Sequence, residues 1–216
     1  MKRAYVFVSL VIILSLVGCA LRDQTPGAAF QPPLEGIQWG MMPEEAVDVL
    51  SLSEECIQNP DEWTAVLLCD DMEVFGRNAD VELVFESKYR MGLQRMTIWF
   101  EEDSEEPLAE MLSGIYGEHS AVDAGGVPSL WESEKVEDLT EEIQGRFRSM
   151  WLDNFPWEGQ GGLSQKTVWD SYKSQPLVSV ALNGDVLSYY GGNMAAYLIY
   201  NDDIAYEKLQ SLRNSD

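Results

Sequence analysis

Apolar residues run from Ala4 to Val17 with only Ser9 and Ser15 between them, and the pattern then breaks into short periods. Ile37-Gln38-Trp39 reads as a short strand. Pro43 sits where a first helical residue should, Glu44 and Glu45 follow in the first turn, and Ala46, Val47, Val49 and Leu50 supply an apolar face, which predicts a helix from Pro43 to about Leu52. Strands follow. Thr64 to Cys69 is apolar after its first residue; Val81, Leu83 and Phe85 alternate with Glu82, Val84 and Glu86; Met96, Ile98 and Phe100 alternate with Arg95, Thr97 and Trp99. Lys88 to Gly92 supplies the turn between the last two, so an antiparallel meander is the expected pairing. Leu108, Met111, Leu112 and Ile115 then share one helical face from Pro107 to Tyr116, with Gly117 as the stop, and this stripe is expected to cover the meander.

The second half is less regular. Glu118 to Ser133 carries Gly125-Gly126 and Pro128 as breakers, and Leu139, Ile143, Phe147 and Met150 recur at helical spacing although Gly145 weakens that helix. Asn154 to Ser164 reads as a loop. Strands are expected at Thr167 to Trp169, Leu177 to Leu182, Val186 to Tyr190 and Ala195 to Tyr200, with Asn183-Gly184 turning a hairpin and a closing helix from Ile204 to Leu212. Helices and strands in this order, without strict βαβ alternation, predict an α+β single domain of antiparallel meander covered by helices. Whether the later strands extend the first sheet or form a second one stays open.

The leading apolar run follows Lys2 and Arg3 and is short for a spanning helix, which wants roughly 20 apolar residues. It ends in Leu16-Val17-Gly18-Cys19, which resembles the lipobox of bacterial lipoproteins. That resemblance implies a signal peptide over 1–18, cleavage before Cys19, diacylglycerol on the Cys19 sulfur and a location on the extracytoplasmic face of a membrane. Two acyl chains hold a protein durably at a bilayer where one does not. In such proteins an aspartate after the cysteine usually signals inner-membrane retention; Ala20 stands there, which leaves the choice of membrane open. From Leu21 to Gly36 the composition turns to Pro26, Gly27, Pro32, Pro33 and Gly36, so 19–36 reads as lipidated cysteine plus flexible tether and 37–216 as the globular domain. Further on, Trp39-Gly40-Met41-Met42-Pro43-Glu44-Glu45-Ala46-Val47 looks like the "WGMSPEEV" opening of uncharacterised exported proteins, with Met42 in place of the usual small capping residue. A helix leading into a meander is also similar to small lipoproteins of outer-membrane assembly and to beta-lactamase-inhibitor-like modules, a likeness of fold that implies no function.

Without the leader, 12 basic residues face 37 acidic ones, a net charge of −25 with the histidine neutral. Such a field repels nucleic acid, so no nucleic-acid partner is expected. Glu101-Glu102-Asp103-Ser104-Glu105-Glu106 is the one acidic run and reads as a solvated loop. Cys56 and Cys69 remain as an even pair in an exported domain, either bridged, with about 3 kcal/mol from closing the loop, or buried as two small hydrophobic thiols.

Few routes to catalysis stand out. His119 is the sole histidine, and a solvent-facing place after a helix suits it better than a catalytic or ligand role. Gly162-Leu163-Ser164-Gln165-Lys166 lacks the second glycine of a nucleophile elbow, and no HExxH, phosphate-loop, EF-hand or dinucleotide motif occurs. No cofactor, metal ligand or catalytic residue is therefore assigned. Asn201-Asp202-Asp203 suits helix capping better than calcium. Trp131, Trp151, Trp157, Tyr189 and Tyr190 are the aromatics to inspect for sugar stacking, whereas Trp39, Trp63, Trp99 and Trp169 fall in or beside expected strands, where aromatics pack the core or pair across the sheet. The expectation is a noncatalytic binding or scaffolding module of the cell envelope, attached to the membrane through Cys19 and meeting another envelope protein through an exposed apolar patch. The alternatives are a carbohydrate-binding module and a glycan hydrolase using a carboxylate pair.

Overall fold

A computed structural model describes residues 26–59, 61–101, 105–120, 129–154 and 164–215. The expected leader over 1–18, Cys19, the breakers Gly125-Gly126 and Pro128, and Trp157 lie outside the described residues. The chain forms one α+β domain in which helices pack on a seven-stranded antiparallel sheet of order β1-β2-β3-β4-β7-β6-β5. The strands are β1 Ile57–Gln58, β2 Thr64–Val74, β3 Arg77–Glu86, β4 Gly92–Phe100, β5 Ser129–Glu132, β6 Ser179–Asn183 and β7 Val186–Tyr190. The helices are α1 Pro43–Leu50, α2 Glu105–Tyr116, α3 Glu141–Asn154, α4 Gln165–Lys173, α5 Gly192–Asn201 and α6 Asp203–Arg213.

The expected meander is β2-β3-β4, with Leu83 opposite Leu67 and Met96. The later strands extend this sheet, because β7 pairs with β4 along Arg95↔Tyr190 to Trp99↔Val186. Side-chain alternation then fixes one buried face: Ala65, Leu67 and Cys69 on β2, Ala79, Val81, Leu83 and Phe85 on β3, Met96, Ile98 and Phe100 on β4, Leu187 and Tyr189 on β7, Val180 and Leu182 on β6, Trp131 on β5. A bulge between Cys69 and Met72, with Asp71 in the left-handed region, lets β2 run on to Val74 rather than stopping at Cys69.

Six sequence expectations need correction. Ile37-Gln38-Trp39 is a packed loop: Gly36 and Gly40 take φ of 79° and 77° on either side, which no extended strand allows, and the two apolar residues are buried anyway. The described part of the expected tether, residues 26–36, belongs to the packed domain. Ala28–Phe30 forms a 3-10 turn, Phe30 and Leu34 are buried, and the Gly27 amide donates to the Glu134 carboxylate at 2.7 Å. Thr167 to Trp169 is helical, because Ser164 caps α4 through the Thr167 amide at 3.1 Å and Asp170 pairs with both Lys166 and Lys173 along its surface. Ala195 to Tyr200 is the middle of α5, a helix buried along Met194, Ala195, Ala196 and Tyr200; a short apolar run fits either period until packing decides. Within the stretch read as irregular, Ser129–Glu132 forms the edge strand β5. Glu105 and Glu106, read as loop, begin α2, and 102–104 lie outside the described residues.

Helix α2, expected over the β3-β4 meander, packs chiefly against β6 and the Ala28–Phe30 turn instead, because β6 extends the same sheet beside β7, while α5 lies on β4. Leu108 and Leu112 are buried as the stripe requires, Met111 is partly covered, and Ile115 is 45% exposed. The Met42 amide donates to Glu45 Oε2 at 2.8 Å, so α1 keeps one half of a capping box without a small capping residue.

Trp39 and Gly40 tie the start of the domain to its centre. The Trp39 indole N–H donates to the Phe30 carbonyl at 2.9 Å, and its ring lies so close to Gly191 that a Cβ there would sit 2.4 Å from it. Gly40 lies back to back with Gly92, whose φ is 69°.

Burial also sets a pH dependence. Burial, then the nearby Cys56 and Asp70, push the Cys69 thiol up to about 11, and burial raises the Tyr116 and Tyr189 phenols, whose hydroxyls lie 3.1 Å apart. Each group is neutral at pH 7 and loses its proton more readily when unfolded, so the native state holds more protons above about pH 9 and stability falls as pH rises. Urea unfolding at pH 8, 10 and 11 should show the midpoint dropping steadily; a flat midpoint would count against these buried protons.

Candidate binding face

The register that buries one face of the sheet leaves the side chains of the other half-buried or exposed across β2, β3, β4 and β7, with Thr97 alone among them buried. Following the pairs across it, Leu68 lies opposite Glu82, Glu82 opposite Thr97 and Thr97 opposite Ser188. A second row runs Val66, Val84, Arg95, Tyr190, and a third places Asp80, Trp99 and Val186 side by side. On this face Leu68 is 45% exposed, Trp99 38% and Tyr190 49%, with Val66, Val84 and Val186 half-buried between them.

Trp99 and Tyr190 are four positions apart along adjacent strands, and Leu68 and Tyr190 stand three strands apart. At about 3.3 Å per residue and about 4.8 Å per strand, the three side chains frame an area roughly 13 by 14 Å. Arg95 and Glu82 pair within it at 2.9 Å, which cancels the central charges while the acids at the edge, Asp80 among them, stay in water. The face therefore carries three separate exposed apolar side chains around a polar, nearly neutral centre of Glu82, Arg95, Thr97 and Ser188, on a strongly acidic protein. Exposed Trp and Tyr side chains are enriched at the centres of protein interfaces.

The other residues singled out in the sequence fall elsewhere. Trp131 and Tyr189 are core residues, and the Trp131 indole N–H donates to the Gly117 carbonyl at 3.1 Å, so neither offers a stacking surface. The side chains of Trp151 and Trp157 lie outside the described residues. Of the aromatics to inspect Tyr190 is exposed, and it is joined by Trp99, which pairs across the sheet rather than packing the core. Its signal was present: Trp99 belongs to the polar phase of β4 with Arg95 and Thr97.

His119 is exposed beyond α2, its Nδ1 3.5 Å from Ser113 Oγ and its ring 5.4 Å from that of Trp131. Cys56 and Cys69 stand as free thiols, Cys56 half-buried before β1 and Cys69 buried in β2. Asp202 caps α6, accepting from the Ile204 and Ala205 amides at 3.0 and 3.2 Å. Among the described residues no group of three or more His, Cys, Asp or Glu is placed to hold a metal ion, and no helix is long and apolar enough to cross a membrane. Compared with known protein families, curated proteins and solved structures, the chain matches none.

Proposed function

We propose that the chain is an extracytoplasmic lipoprotein, held at a membrane by lipid on Cys19, whose domain is a noncatalytic binding or scaffolding module of the cell envelope. The observation that carries the binding part is the open sheet face with Leu68, Trp99 and Tyr190 around a neutralised centre. Its occupant in this reading is another envelope protein. The framed area is a fraction of the roughly 800 Å² per partner of a standard interface, so it would form the centre of a larger contact. An exposed Trp and Tyr also suit sugar stacking, but a spacing of roughly 13 Å along the strands fits an extended protein surface better than one sugar ring.

The anchor and the face are tested separately. Cys19→Ser should leave the precursor uncut or release the protein from the membrane fraction, whereas a membrane-bound, processed variant would contradict the lipid attachment. Replacing Leu68, Trp99 and Tyr190 together by threonine keeps strand propensity and should change stability by only about 0.5 kcal/mol per site. The same variant should lose its association with the envelope partner by tenfold or more in co-purification from cross-linked membranes. An unchanged association would remove the face from the account.

A further inference from the structure

On the helical side, the turn between β3 and β4 meets α5 and α6 in a shallow cleft of about 170 Å³ lined by Tyr89, Arg90, Ile199, Lys208, Leu209 and Leu212. Two features coincide there. First, it brings together two cations that form no ion pair among the described residues, in a protein where acids outnumber bases 37 to 12 once the leader is removed. Arg95, Arg146, Lys166 and Lys173 have carboxylate partners, and Arg77, Lys135 and Arg148, which form no ion pair among the described residues, lie outside this lining. Second, Arg90 is held in the left-handed region at φ 56°, a conformation that glycine adopts freely and arginine does not.

The turn is built to keep it there. Glu86 folds its carboxylate back to accept the Tyr89 amide at 2.9 Å and the Met91 amide at 3.1 Å, and the Arg90 amide donates to the Ser87 carbonyl. Lys88 is engaged elsewhere, its ammonium 4.0 Å from the centre of the Trp63 ring. Backbone strain held by surrounding contacts is a recurring property of ligand-binding turns. The rest of the lining is apolar, with Leu209 buried and Ile199 half-buried behind the cations.

We infer that this cleft binds a small organic anion, a phosphate or carboxylate head with a short apolar substituent, the head meeting Arg90 and Lys208 and the substituent lying on Ile199, Leu209 and Leu212. The guanidinium fork suits a carboxylate or phosphate in paired hydrogen bonds, and the ammonium adds charge. The volume lies below the roughly 300 Å³ at which pockets for drug-sized ligands begin, so only a head and a few carbons fit. The head could belong to a soluble ester or to a lipid. The inference uses none of the residues of the open sheet face, so its failure would leave that reading standing.

The test is calorimetric titration of the full chain in non-ionic detergent with inorganic phosphate, hexyl phosphate, hexanoate, hexanol and dihexanoyl phosphatidylglycerol. Hexyl phosphate or hexanoate should bind at least tenfold more tightly than inorganic phosphate or hexanol, since each of the latter supplies half of the chemistry. Comparable binding of the phosphatidylglycerol assigns a lipid head, and its absence assigns a soluble anion. Arg90→Gly should weaken binding tenfold or more while raising or preserving the thermal midpoint, because glycine relieves the left-handed backbone. Lys208→Gln should weaken binding several-fold. No binding of either amphiphilic anion, equal binding of hexanol, or unchanged affinity in both variants would overturn the inference.

Discussion

Gly92→Ala should cost on the order of 4 kcal/mol, combining strain at a positive φ with overpacking that cannot relax. The added Cβ would lie 2.1 Å from the Gly40 carbonyl oxygen and 2.6 Å from that of Met41, and both obstacles are backbone. Moving them would break the hydrogen bonds by which Gly40 and Met41 hold Leu93 at 3.1 and 2.9 Å. Gly76→Ala supplies the control, because its φ of 73° is similar and a Cβ there meets nothing within 4 Å. The control should lose only about 1 kcal/mol. Since domains of this kind are stable by only about 5 to 15 kcal/mol, the Gly92 variant should be marginal in urea or thermal unfolding while the control is not. Equal losses at the two positions would remove the close approach as the cause.

Leu112→Ala should cost about 2 to 5 kcal/mol, the range for truncating a buried leucine where the surroundings relax only in part. Leu112 is fully buried in the stripe of α2, whereas Ile115, one turn on, is 45% exposed. Ile115→Ala should therefore cost much less, on the order of 1 kcal/mol, as partly exposed positions do. Chemical denaturation of the two variants measures both. A loss at Ile115 equal to that at Leu112 would mean that α2 seats on the sheet with a different face.

These two sites also show what the sequence made legible. Period-two alternation placed β3 and β4 correctly, because one face of each is buried and the other wet, and Asn183-Gly184 marked its hairpin, with Asn183 opposite Val186 and Gly184 at φ 63°. The stripe of α2 was readable for the same reason. Periodicity failed where apolar residues face neighbours all round, as in α5, or where caps outweigh strand propensity, as Ser164 and the Asp170 pairs do in α4. Ile37 and Trp39 alternate like a strand because they are buried, yet left-handed glycines on each side bend the chain. The open face was half legible: Trp99 lay in the polar phase of β4, but Leu68 sat inside a continuous apolar run whose outward members no local pattern separates. The cleft at Arg90 was not legible at all, since it joins a turn to helices more than a hundred residues away.

The most direct test of the binding-module account is site-specific photocross-linking in intact cells, with a photoreactive amino acid placed at Trp99 and, separately, at Ile204, which is 81% exposed on α6 away from the sheet. The account predicts one discrete envelope-protein adduct from position 99, absent from position 204 and lost when Leu68 and Tyr190 are replaced by threonine. Adducts of equal yield from both positions, or none from position 99, would contradict it.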